Sequence, residues 1–244
     1  MPGIPTEAGT MTRRERERLM RRREIMEAAR TVFAEKGYIH ATLDEIAQRA
    51  EYGKGTLYNY FAGGKEDILF AICDEIYDDL CQLIQDAFSP QTMATKPFRD
   101  AFHKLVTSWI DFFVERQELF MIVVKEAYRM TFSDDRDKAA YFHRQGERVV
   151  NVLIPPLESA MQAGVLRPLP PHSVAHMILG NLKGIQMHMC LHAGDDCREH
   201  THGDPVPGSF EAAAAFLTTM LCDGLLAQSE PYLATNTLET SQEA

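Results

Sequence analysis

Between Thr42 and Phe61 the chain carries two short apolar patterns separated by only three residues, Glu51, Tyr52 and Gly53. The first opens as a capping box: the Thr42 hydroxyl can accept from the backbone three residues on while Glu45 reaches back. Leu43, Ile46, Ala47 and Ala50 form the apolar stripe behind it. The second is anchored by Leu57 and Phe61, one turn apart. Two short helices joined by a three-residue turn spell a helix-turn-helix. Upstream, Ile25, Ala28, Ala29, Val32 and Phe33 repeat at i, i+3, i+4, i+7 and i+8, and Gly37 is the expected left-handed stop of that helix. Downstream, Gly63 and Gly64 interrupt the chain. Ile68, Leu69, Ile72, Ile76, Leu80, Leu83 and Ala87 then mark a long fourth helix ending near Ser89 and Pro90.

Helical patterning continues to the end of the chain. It predicts helices at about 96–116, 118–131, 135–164, 171–193 and 209–229, bounded by Pro, Gly or Asp. Pro155 and Pro156 are expected to kink or divide the third of these. The β-branched run Ile122, Val123, Val124 is too short for a strand and has helical pattern on both sides, so the expected fold class is all-α. No apolar run approaches the roughly 20 residues of a membrane span. Met1 is followed by no apolar leader, and five cysteines are too few and odd in number for a disulfide framework. The expected compartment is therefore the cytoplasm, with reduced thiols.

The formal charge of −10 is unevenly distributed. Residues 1–70 carry a net +1 and residues 71–244 a net −11, so the two parts have different electrostatic roles. Arg13, Arg14, Arg16, Arg18, Arg21, Arg22 and Arg23 face only Glu15 and Glu17 over the same stretch, a block suited to lie against phosphates or to be solvated. The expected divisions are a basic arm without fixed structure over 1–20, the helix-turn-helix unit over 21–66, a second helical unit over 67–230 and an unstructured tail over 231–244.

The stretch from Arg22 to Phe70 resembles the DNA-binding domain of tetR-type (tetracycline-repressor-like) transcriptional regulators. The resemblance runs through Ile25-x-x-Ala28-Ala29-x-x-Val32-Phe33-x-x-Lys36-Gly37-Tyr38, Thr42-x-x-x-Ile46-Ala47, Lys54-Gly55-Thr56-Leu57-Tyr58-Asn59-Tyr60-Phe61 and Lys65-Glu66. It departs at Glu51, where the family often has Gly, at Gly53, where Ser often caps, and at the second Gly of Gly63-Gly64, which looks like one added residue. With Leu57 and Phe61 turned inward, Lys54, Gly55, Thr56, Tyr58 and Asn59 point to solvent at the end of the helix that enters a major groove in helix-turn-helix proteins. Lys54 and Asn59 suit guanine and adenine edges, while Tyr58, Tyr60, Thr42 and Lys65 suit phosphate oxygens.

The resemblance implies that the second unit binds a small-molecule effector and forms a homodimer on a palindromic operator, acting as a repressor with no further cofactor. Its pocket is expected among Trp109, Phe112, Phe113, Phe120, Tyr128, Phe142, His143 and Met187. The expected dimer surface uses Gly180, Gly184 and Ala212 to Ala215 for close approach, against Phe216, Leu217, Met220, Leu221 and Leu225, with a core contact inside the chain as the competing explanation. An alternative makes the Cys/His tract 188–202 a metal or redox sensor, through His188, Cys190, His192, Cys197, His200 and His202. Enzymatic motifs are missing: there is no His-Glu-x-x-His, phosphate-binding Gly loop or Gly-x-Ser-x-Gly. Asp74, Glu75, Asp78 and Asp79 read as a solvated acidic face.

Overall fold

The computed structural model describes residues 11–192 and 210–223, and among these it contains ten helices and no strand. They are α1 Arg13–His40, α2 Leu43–Arg49, α3 Lys54–Tyr60, α4 Lys65–Ala87, α5 Pro90–Thr95, α6 Phe98–Val114, α7 Gln117–Thr131, α8 Arg136–Gln162, α9 Pro171–His192 and α10 Phe210–Asp223. None of the described helices is long and apolar enough to cross a membrane.

Helix α1 starts at Arg13, so the whole of the basic block from Arg13 to Arg23 is helical rather than an unstructured arm. The cause is a capping box at Thr12 and Glu15, closed in both directions. The helix is interrupted at Gly37, whose φ of 75° is open to glycine and strained for other residues. The second capping box forms as the sequence requires, with Thr42 and Glu45 starting α2. The turn to α3 places Glu51 at φ 59°, the only positive φ among the described residues that is not at glycine. Holding an L side chain there costs about 1 kcal/mol relative to glycine. Gly64, at φ 70°, opens α4, and a Cβ there would stand 3.1 Å from Leu43 Cδ1. The second glycine of the pair therefore lets α4 leave close against α2.

Helix α4 runs from this module into the rest of the molecule and shares one continuous apolar core with it. On its polar side, four residues of α8 grip it in sequence. Lys138 pairs with Glu66 at 2.7 Å, Tyr141 and Gln145 both donate to Asp74 at 2.7 Å, and Arg148 pairs with Asp78. Glu75 pairs with Arg30 of α1. Of the expected solvated acidic face, three carboxylates are thus engaged in helix-to-helix contacts. Helix α8 continues through Pro155 and Pro156 without being divided. Helix α5, six residues capped by Ser89 with Pro90 in its first turn, falls where the sequence pattern suggested only a stop. Helix α10 packs on α6, with Arg99 bonded to Asp223 at 2.9 Å and His103 facing the buried Thr218 hydroxyl at 3.2 Å.

Candidate nucleic-acid interface and internal cavity

Helix α3 presents Lys54, Gly55, Tyr58 and Asn59 on one exposed face, with Tyr58 45% exposed, while Leu57 and Phe61 are buried behind it. Thr56 and Tyr60 are half-buried, and Tyr60 packs against the core. The N-cap Gly53 supplies no side-chain hydrogen bond, so the first amides of α3 have no side-chain acceptor from their own cap. The ammonium of Lys54 rests 3.0 Å from Asp44 at the start of α2, an exposed pair that raises the Lys54 pKa above its ordinary value. Thr42 is exposed, but its hydroxyl and amide are committed to Glu45.

Lys65 sits differently from the phosphate holder expected of it. Its Nζ donates to the carbonyl oxygens of Tyr38, Ile39 and Ala41 at 2.6, 3.2 and 2.8 Å and lies 4.5 Å from the centre of the Tyr38 ring. All three N–H groups of the ammonium are spent on the end of α1. Burial pulls its pKa down, and the nearby Glu126 carboxylate opposes that shift. On α1, Arg13 is paired with Glu17, and Arg22 covers the Phe61 ring at 5.1 Å. Arg14, Arg16, Arg18, Arg21 and Arg23 are exposed and, among the described residues, have no carboxylate partner.

A cavity of about 350 Å³ lies between α4, α6, α7, α8 and α9. Seven of the eight residues expected around a pocket line it: Trp109, Phe113, Phe120, Tyr128, Phe142, His143 and Met187. The eighth, Phe112, lines a separate small recess with Arg30, Glu75 and Arg116, and the Arg116 guanidinium covers its ring. Adjacent helical residues point about 100° apart, so Trp109 and Phe113, one turn from each other, can share the cavity wall while Phe112 turns away.

The sequence pattern gave no signal for the polar groups at this cavity, namely Glu147, His176, Lys183 and Gln186. Isolated polar residues on helices have no periodicity to betray them. Lys183 is the most unusual of them, because burial lowers its pKa and no carboxylate among the described residues pairs with it. The only atom near a Cβ built at Gly146, across on α8, is Lys183 Nζ at 3.8 Å. The Trp109 indole N–H is buried with no acceptor among the described residues. Cys73 also lines the wall, and burial pushes its thiol to about 12, so it is protonated at neutral pH.

A second, more open depression lies along α9 and α10, edged by Met177, Gly180, Gly184, Phe216 and Met220. Met177 is 63% and Phe216 50% exposed, and a Cβ on Gly180 or Gly184 would meet nothing within 4 Å. Ala213, Ala214 and Leu217, expected on a dimer surface, are instead buried in the chain's own core. Leu225 and residues 193–202 of the Cys/His tract lie outside the described residues, as do the side chains of His188, Cys190 and His192.

Comparison with known proteins agrees with this geometry. Residues 25–72 match the family described as bacterial regulatory proteins, tetR family. The chain is 24% identical over 159 residues, 65% of its length and 78% of the other's, to the uncharacterized HTH-type transcriptional regulator YhgD of Bacillus subtilis (strain 168). It is 41% identical over 58 residues to the HTH-type transcriptional regulator HbdR of Aromatoleum sp. (strain CIB), which covers 24% of this chain and 25% of HbdR. The fold is shared with the transcriptional regulator FadR from Bacillus subtilis, solved in complex with stearoyl-CoA. The TM-score is 0.64 at 18% identity, over 84% of this chain and 99% of that one. With the family match seated on α1 to α4 and a shared all-helical fold behind it, residues 25–72 form a helix-turn-helix unit of the kind found in bacterial regulatory proteins of the tetR family.

Proposed function

We propose that the chain is a ligand-responsive repressor that binds a palindromic operator as a homodimer and is released by a small amphiphilic anion held in the internal cavity. The observation that carries this reading is Lys183, a half-buried ammonium with no ion-pair partner among the described residues, beside a largely apolar cavity of about 350 Å³. A partly desolvated cation is stabilised when an anion joins it, and the cavity falls in the size range of small-molecule sites. A ligand with an apolar body and a carboxylate, phosphate or thioester-linked acidic group satisfies both halves of the site. The stearoyl-CoA of the Bacillus subtilis structural relative has that chemistry.

On the DNA side, Lys54 and Asn59 are assigned to base edges, and Gly55, Thr56 and Tyr58 to close backbone approach and phosphates. Thr42 and Tyr60 border the same face. The open face of α9 and α10 is assigned to the partner subunit, with Gly180 and Gly184 admitting its backbone. Release follows from α4, which lines the cavity with Cys73, Ile76, Tyr77 and Leu80 and begins at Lys65 against the DNA-binding module. A ligand that prefers one tilt of α4 biases the separation of the two α3 helices, with a coupling of typically ~1 to 3 kcal/mol.

The test begins by selecting bound sequences from a random duplex library and then screening acyl and aryl acids for release. Gly146→Leu places a side chain in the cavity where the new Cβ meets only the mobile end of Lys183. Operator binding should persist in that variant while release by the acid is lost. If release proceeds unchanged in Gly146→Leu, the effector binds elsewhere.

A further inference from the structure

We propose that Glu147, His172 and His176 form a binding site for a divalent transition-metal ion, clamping α8 to α9 at the rim of the cavity. The three residues each offer one ligand atom, and these atoms lie within 4.8 Å of one another. His172 and His176 are four residues apart on α9, hence one above the other on a single helix face. Both rings turn their Nε2 atoms to the same carboxylate of α8, at 3.4 Å for His172 and 3.1 Å for His176, with ring centres 4.6 Å apart.

The longer of the two contacts is not that of an ordinary ion pair. A charge-assisted N–H to carboxylate bond closes to about 2.7 to 2.9 Å, and the 3.4 Å contact is well beyond that. Donors bound tetrahedrally to a common ion at about 2.0 to 2.2 Å stand about 3.3 to 3.6 Å from one another, a range that holds the 3.4 Å His172 contact and lies just above the 3.1 Å His176 contact. The donor set is two imidazoles and one carboxylate, which selects zinc, cobalt or nickel over magnesium or calcium. The groups are also reachable: both histidines are exposed and the glutamate is half-buried. Three protein ligands leave a coordination position free, and two of the three residues line the cavity. His143 stands one turn before Glu147 on α8 at the same rim but outside the converged set. This site is separate from the Cys/His tract 188–202, and it stands whether or not the cavity takes an anion.

Cobalt(II) alone is the probe, titrated into the metal-stripped full-length protein and followed by visible absorption and by thermal unfolding. The wild type should bind one ion here, giving visible bands of nitrogen and oxygen coordination and a raised unfolding temperature. His172→Ala/His176→Ala should lose both signals, and Glu147→Gln should weaken binding and shift the bands. The histidines are exposed, so the double variant should fold normally, and its unfolding temperature in chelator should match that of the wild type. The proposal is overturned if the double variant retains the wild-type bands. It is equally overturned if the spectrum is dominated by an intense near-ultraviolet thiolate band that none of the substitutions alters, since the ion would then sit on cysteine. Bands that disappear in the histidine variant but are unchanged in Glu147→Gln would overturn the three-ligand assignment.

Discussion

Lys65 directs its ammonium to the carbonyl oxygens of Tyr38, Ile39 and Ala41. Its place after Gly63-Gly64 was legible, but the carbonyls that engage it come from a segment some 25 residues earlier, and no local pattern announces such a contact. Three charge-assisted bonds to the end of α1 make Lys65 a structural tie between α1 and α4. Lys65→Ala should therefore lower the unfolding free energy by about 2 kcal/mol, read from the urea midpoint. A loss of operator affinity without any shift in that midpoint would restore the phosphate role. Glu51 gives the opposite case, in which the departure from the family pattern was visible and its consequence follows directly. The residue is held at φ 59°, so Glu51→Gly should stabilise the protein by up to about 1 kcal/mol, a rise of a few degrees in Tm. No change or a fall would mean that the carboxylate contributes something the backbone conformation does not reveal.

At the level of the element, the capping boxes decide where helices begin. The one at Thr42 and Glu45 is legible because an apolar stripe follows it, whereas the equivalent Thr12 and Glu15 precede an Arg-rich turn with no such stripe to mark a helix. Glu45 has a second partner in Lys36. The Lys36 bond first, and the Thr42 amide and hydroxyl after it, hold the Glu45 pKa at about 2 instead of 4.5. A carboxylate depressed in the folded state stabilises it fully above its ordinary pKa, and that contribution is lost as the pH falls toward 2. The difference in urea midpoint between wild type and Glu45→Gln should accordingly shrink steadily from pH 5 downward. A difference independent of pH would show that the charge plays no part in the cap. Elsewhere the acidic residues of α4 were legible as a stripe but not as contacts, because their partners Lys138, Tyr141, Gln145 and Arg148 are supplied by α8, some 70 residues away.

Across the whole molecule, helix periodicity was enough to place α1 to α4 and α6 to α10 along the chain, since each buries a 3.6-residue apolar stripe. It could not find α5, whose six residues bury no side chain fully. It found the apolar wall of the cavity, because large aromatic residues one turn apart face one way, and it missed Lys183, Glu147 and His176, whose meaning arises only when α8 and α9 come together. Ala213, Ala214 and Leu217 follow the competing explanation, a core contact: a small-residue run permits close approach to any neighbour, and here that neighbour is α6.

Trp109 is the sole tryptophan of the chain, 1% exposed, and it stands in the wall of the cavity with its indole N–H unpartnered. The protein therefore carries a single indole, which can be excited beyond the absorption of its eight tyrosines and whose surroundings are those of the site itself. Occupation of the cavity should change its emission intensity or wavelength, and the titration midpoint should coincide with that for operator release when both are measured at the same DNA concentration. Release of DNA with an unchanged spectrum would place the ligand away from Trp109. The chain is in this sense its own optical sensor, and a library of acids can be screened on the unlabelled protein before any operator is known.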